Sequence, residues 1–168
     1  MKVLVVYGSR YHATEEIAQT IGIALIDRGL EADIRQVQDA GDINGYDAFV
    51  IGSAVYMGRW IRSVSAFVER HRRFLLQHPV WLFSSGPIGS PALPSEEPPE
   101  TAALAAIVNA RGTMSFAGRL EKERLSWSER LLVKALHAEE GDFRSWHAVH
   151  AWADAIADGM GVSAKVTN

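Results

Sequence analysis

Val3-Leu4-Val5-Val6-Tyr7-Gly8-Ser9-Arg10-Tyr11-His12-Ala13-Thr14-Glu15-Glu16 is the stretch that decides the fold. Its first five residues are an unbroken, mostly β-branched apolar run, the pattern of a strand buried on both faces. The run stops at Gly8-Ser9. After a polar loop, Thr14 stands where a helix cap belongs, and Glu15 and Glu16 occupy the first turn. Ile17, Ile21, Ala24 and Leu25 then recur at helical spacing up to Gly29, so strand, loop and helix follow one another directly.

The same order repeats along the chain. Ala32 to Val37 predicts a more polar edge strand, and Ala48-Phe49-Val50-Ile51 a central one ending at Gly52-Ser53. Ile61 to Leu76 reads as a basic amphipathic helix, and Val80-Trp81-Leu82-Phe83 as a fourth strand ending at Ser84-Ser85-Gly86. Pro87, Pro91, Pro94, Pro98 and Pro99 mark a surface loop, because proline removes donors and resists helix. Ala102 to Val108 follows as a short helix and Met114 to Ala117 as a fifth strand. A last helix, from about Arg144 to Met160, sets Trp146, Val149, Trp152, Ala153 and Ile156 on one face.

Before that helix, residues 119–141 read as an inserted excursion. It holds the charged run Glu121 to Arg124 and an amphipathic stretch from Ser128 to His137 with Leu131, Leu132, Ala135 and Leu136 apolar. That stretch either packs on the sheet edge and completes the core or forms a hydrophobic wall beside an open site. Alternating strands and helices predict an α/β, doubly wound parallel sheet with helices on both faces, in a single domain spanning 1–168.

Composition narrows the chemistry. The chain has 168 residues, 48% hydrophobic and 22% charged, which excludes global disorder. Its net charge of −3 does not point to nucleic acid. There is no cysteine, so disulfides, thiolate nucleophiles, iron–sulfur clusters and cysteine-bound zinc are excluded, and redox chemistry needs a bound cofactor. The N-terminus lacks signal-peptide architecture and no 18-residue apolar run occurs, from which a cytoplasmic location is expected. An aspartate ending the third strand, as a phosphorelay receiver needs, is missing, and so is a Gly-x-Ser-x-Gly elbow. His147, His150 and Asp154 share a helical face, but no further metal ligand is evident and no metal is expected.

Three strands end in small residues, which let a ligand approach the backbone closely at the switch point of such a sheet. The loop from Ser9 to Thr14 offers hydroxyls and a helix N-terminus, a site for a phosphate dianion, or it is a plain capped turn. It is neither a Walker loop nor a GxGxxG fingerprint. The second loop, from Ser53 to Trp60, carries Tyr56 and Trp60 as candidate walls for a flat ring, with Tyr56 first. The third, from Ser84 to Gly89, has no aromatic.

Ile51-Gly52-Ser53-Ala54-Val55-Tyr56-Met57-Gly58, Phe67-Val68-Glu69-Arg70-His71, Phe83-Ser84-Ser85-Gly86-Pro87 and Phe116-Ala117-Gly118-Arg119-Leu120 resemble stretches of flavodoxin-like FMN-binding proteins. Within these, the chain is most similar to the flavodoxin-domain group that includes the menaquinone-dependent protoporphyrinogen dehydrogenases. The resemblance covers nearly the whole chain, the excursion included. It implies five parallel strands in the order 2-1-3-4-5 and FMN as cofactor. Ser9, Tyr11, Ala13 and Thr14 would surround the FMN phosphate, with Arg10 adding charge and His12 standing where the family has glycine. Ser53, Ala54, Val55, Tyr56, Met57 and Gly58 would run along the isoalloxazine edge, and Ser84, Ser85, Gly86, Pro87, Ile88 and Gly89 would close the other side. The implied function is an FMN oxidoreductase that takes two electrons from a reduced substrate and passes them to a quinone; the alternative is a non-enzymatic electron carrier. No side chain stands out as an acid or base. The implied partners are a small-molecule redox substrate or quinone, with a redox protein and a membrane surface as further candidates.

Overall fold

The structure, a computed structural model, describes residues 1–86, 97–135 and 140–162. Its strands are β1 (Lys2–Gly8), β2 (Glu31–Gln36), β3 (Ala48–Tyr56), β4 (Arg59–Trp60), β5 (Val80–Ser85), β6 (Gly112–Phe116), β7 (Arg119–Leu120) and β8 (Gly141–Asp142). Its helices are α1 (Ala13–Asp27), α2 (Arg62–Leu75), α3 (Pro99–Val108), α4 (Trp127–Ala135) and α5 (Trp146–Gly159). The main sheet runs β2-β1-β3-β5-β6, with every neighbouring pair parallel. With the short antiparallel β4 set aside, this is the expected order 2-1-3-4-5.

Alternation along each strand feeds two cores, one on each face of the sheet. Val3, Val5 and Tyr7 of β1 pack with Ile17, Ile21 and Leu25 of α1 and Trp152 and Ile156 of α5. Leu4 and Val6 point the other way, into Phe49, Ile51, Val64, Phe67 and Leu104 under α2 and α3. β2, at the edge, is only half-buried along its length, which accounts for its polar composition. The glycines at two strand ends serve this packing. A Cβ on Gly8 would fall 2.3 Å from Val64 Cγ2, and one on Gly52 would fall 2.0 Å from the Phe83 ring. Their smallness admits neighbouring side chains of the core, which corrects the expectation that it admits a ligand.

Several boundaries differ from the sequence reading. β3 and β5 run on through Ser53-Ala54-Val55-Tyr56 and Ser84-Ser85, all but Tyr56 buried, because long-range ladder bonds between the two strands hold these small polar residues in the sheet. α3 begins at Pro99, whose missing N–H is harmless in a first turn. Trp146 does not join the α5 core: it is exposed, and the Arg144 guanidinium lies 4.5 Å from its ring. The excursion forms the β7–β8 hairpin with α4 inside it, and neither core contains a described α4 residue. Trp127 and Leu131 are exposed on α4, so among described residues this helix does not complete the core. Leu136 and His137 lie outside the described residues.

Candidate functional site

β1, β3 and β5 end side by side, and the chain winds from β1 to β2 on one side and on to β3 on the other, which makes the end of β1 the switch point. The loop leaving it closes at His12, whose φ of 63° and ψ of −8° lie in the left-handed region. His12 therefore occupies the cap position expected of Thr14, which is the second residue of α1 and is buried. The first helical bond runs from the Glu16 N–H to the His12 carbonyl at 3.0 Å. The N–H groups of Ala13, Thr14 and Glu15 thus have no acceptor within the helix and form, with the helix dipole, an anion cradle.

The two carboxylates of that first turn are drawn aside. Glu15 Oε2 lies 2.6 Å from His12 Nδ1, and its other oxygen accepts from Gln19 Nε2 at 3.4 Å. Tyr7 bonds to the same carboxylate; burial first, and then Glu15 beside it, push the Tyr7 hydroxyl up to about 12, so it stays a donor. Glu16 receives Arg119 Nη1 at 3.1 Å and Arg144 Nη1 at 2.8 Å. Arg144 also donates to the Ala13 carbonyl at 3.3 Å and clasps Asp142, which holds the Asp142 carboxyl below its ordinary range. The cradle therefore suits a phosphate.

At the ring side, β3 turns back through Met57-Gly58 into β4, pairing Val55 with Trp60 and Tyr56 with Arg59. Both turn residues have positive φ, 51° and 75°, the signature of a tight two-residue hairpin. Ser53 is fully buried; its hydroxyl donates to the Ala54 carbonyl and accepts the Ile61 N–H at 2.9 Å, fixing the return of the hairpin. Trp60 is buried as well, its indole N–H donating to Thr101 Oγ1 at 2.8 Å and its backbone N–H to Glu100. It belongs to the scaffold, which corrects the expectation that it is a candidate wall beside Tyr56. Tyr56 meets Tyr11 edge to face, centroids 6.5 Å apart, with the Arg10 guanidinium 5.2 Å from the Tyr56 ring.

Ala54 and Val55 are buried, whereas Met57 and Gly58 are exposed at the hairpin tip. Ser9 is half-buried, Arg10 exposed. From the third loop, Ser84 shares a 2.8 Å bond with Ser115, Ser85 is buried, and Gly86 turns with φ 96°. Pro87, Ile88 and Gly89 lie outside the described residues. His147 and His150 are exposed and Asp154 pairs with Arg28; among described residues no metal-binding group forms.

Tyr11 and Tyr56 open onto a cleft whose far wall is the excursion: Arg119, Leu120, Glu121, Arg124 and Leu125. Sequence reasoning did not assign these residues to the site, nor Glu16 and Arg144, which hold the excursion against α1. The available signal was the dense charge of Glu121 to Arg124, but its ion pairs are local, Glu121 taking Arg119 and Arg124, and the bonds that carry the excursion to α1 run from Arg119 and Arg144 to Glu16, more than a hundred residues away.

The flavodoxin domain family model matches residues 4–146. The protein named protoporphyrinogen IX dehydrogenase [quinone] from Escherichia coli strain K12 is 26% identical over 149 residues, spanning 84% of this chain and 81% of that protein. Among solved structures, a flavodoxin from the domain Archaea has a TM-score of 0.61 at 14% identity, covering 96% of this chain and 99% of that one. The Streptococcus pneumonia TIGR4 flavodoxin has a TM-score of 0.62 at 16% identity, covering 95% and 99%.

Proposed function

The chain belongs to the flavodoxin domain family, whose cofactor is FMN, and on that premise we propose that it is an oxidoreductase resembling the protoporphyrinogen dehydrogenases. In this reading two electrons and two protons leave a reduced substrate and end on a quinone, which becomes the quinol. When bound, FMN supplies the hydride-accepting ring. The Ala13, Thr14 and Glu15 N–H groups would hold its phosphate, and Tyr56, with Tyr11 braced against it, would border its ring.

The observation that carries the enzyme reading is the cleft between the tyrosine pair and the excursion. Leu120 and Leu125 give it an apolar wall that suits a flat ring such as a quinone or a tetrapyrrole, and Arg119 and Arg124, both paired with Glu121, give it a charged rim. An electron carrier needs no such walled approach to its flavin. The test is replacement of residues 121–140 by a short glycine linker, which removes Glu121, Arg124 and Leu125 from the wall and leaves the five-stranded sheet. The variant should still bind FMN, with affinity in the micromolar range or better, about −8 kcal/mol, and should no longer reduce a menaquinone analogue. Retained quinone reduction assigns the protein to the carriers, and failure of the parent chain to bind FMN removes the flavin reading.

A further inference from the structure

One arm of the surface is charged unlike the rest. Between residues 59 and 73 lie five of the chain's 17 Lys and Arg but one of its 20 Asp and Glu, in a protein of net charge −3. These five, Arg59, Arg62, Arg70, Arg72 and Arg73, are all exposed. None forms an ion pair among the described residues, whereas Arg28, Arg35, Arg119, Arg124 and Arg144 each clasp a carboxylate. The fold places Arg59 on β4 and the other four on α2, so the cations line a broad basic ridge over about 17 Å, the helix rise from Arg62 to Arg73, with Arg62 and Arg73 along its middle, Arg70 and Arg72 on its two flanks, and Glu69 the one carboxylate within it. One end of the ridge adjoins the Met57-Gly58 hairpin at the rim of the candidate ring site. Large exposed apolar side chains stand at both ends, Met57 85% exposed and Leu76 46% exposed.

We propose that this ridge is the docking face for an acidic electron-transfer protein, which exchanges electrons with the flavin across the Met57-Gly58 hairpin. The proposal rests on the flavin reading above. Unpaired arginines flanked by a methionine and a leucine match the composition of protein interfaces. Clustering positive charge on one ridge of a net-negative chain orients an acidic partner and turns its approach toward the hairpin. A nucleic acid or an anionic membrane would meet the same ridge, but the remainder of the chain, which is negative, would oppose an extended polyanion. A one-electron partner would exchange one electron per encounter, so the two electrons of the flavin would take two encounters, with the two accompanying protons exchanged with solvent.

The test uses the full chain with an acidic plant-type [2Fe–2S] ferredoxin as probe, against heparin and phosphatidylglycerol vesicles. Ferredoxin should bind at about 20 mM salt and weaken at least tenfold at about 200 mM. The R70E/R72E/R73E variant should lose at least tenfold in affinity, and the neutral R70Q/R72Q/R73Q variant, which guards against misfolding of the first, should lose less. Absence of ferredoxin binding at low salt, equal binding by parent and variants, or tighter ridge-dependent binding of heparin or vesicles overturns the proposal. Ferredoxin binding is read with and without FMN, so a protein that docks ferredoxin but takes up no FMN refutes the flavin reading and the electron exchange while leaving the docking face in place.

Discussion

The Arg144 guanidinium meets the Glu16 carboxylate at 2.8 Å, across 128 residues of sequence, and joins the end of the excursion to the first turn of α1. Arg144 is 2% exposed at its side chain, and it also bonds Asp142 and the Ala13 carbonyl and lies against the Trp146 ring. One buried cation thus ties the end of the excursion to the start of α1.

Replacing Arg144 by alanine leaves Glu16, Asp142 and the Ala13 carbonyl without their common donor. The expected loss is about 1–3 kcal/mol of stability, read from urea unfolding, with a parallel weakening of FMN binding. A loss confined to stability, with FMN titration unchanged, separates the excursion from the cradle.

His12 stands at φ 63°, a region that costs a β-branched side chain about 1–2 kcal/mol. Its pair with Glu15 is exposed and adds little. His12→Gly should therefore be at least as stable as the parent, and His12→Val less stable by about 1–2 kcal/mol. Chemical denaturation checks both, and a glycine variant markedly weaker than valine contradicts the geometry.

Tyr56 and Trp60, four residues apart, should behave oppositely. Trp60→Ala opens a buried cavity and strands the Thr101 hydroxyl, an expected cost of about 3–5 kcal/mol. Tyr56→Ala should leave the unfolding midpoint nearly in place while weakening flavin binding and shifting its visible spectrum. Absorbance titration with FMN alongside thermal melts distinguishes them.

Ser53 is a scaffold residue by its bonding, since the Ile61 N–H has its hydroxyl as acceptor. Ser53→Ala should cost about 1–3 kcal/mol through the stranded buried donor. Differential scanning calorimetry reads this directly, and an unchanged melt removes Ser53 from the hairpin's support.

Asp33 accepts the Tyr46 hydroxyl at 2.6 Å and lies 3.1 Å from Lys2 Nζ. The Tyr46 bond, and next the Lys2 bond, hold its carboxyl below the ordinary 3.8. Because the folded value is the lower one, the unfolded chain takes up the proton first as pH falls. The stability contributed by Asp33 is then complete above about pH 4 and disappears as pH falls through the folded value. The gap in stability between the parent and Asp33→Asn should be constant from neutral pH down to that range and close below it, as followed by urea unfolding at stepped pH.

The five parallel strands were legible because burial on both faces leaves apolar runs, as at Val3 to Tyr7 and Val80 to Phe83, and the edge position of β2 showed in its polar composition. The extension of β3 to Tyr56 was not legible. Ser53 and Ala54 have the composition of a loop, and they become strand only because Ser84 and Ser85 lie beside them in register. Likewise, the choice between Tyr56 and Trp60 as an exposed aromatic depends on Thr101 and Glu100, about forty residues on, which take up the Trp60 donors.

Local order was in the chain itself: the alternation of strand and helix, the strand runs, the absence of cysteine and the helix opening after Ser9 to His12 follow from side-chain pattern alone, since hydrophobic period and turn chemistry act over a few residues. The tertiary structure decided what faces what. It turned Gly8 and Gly52 toward Val64 and Phe83, drew Glu16 to Arg119 and Arg144, set the excursion opposite Tyr11 and Tyr56, and left five exposed arginines on β4 and α2 with no ion pair among the described residues. Each of these pairings joins residues distant in sequence, and their geometry exists only once the sheet has brought its strand ends together.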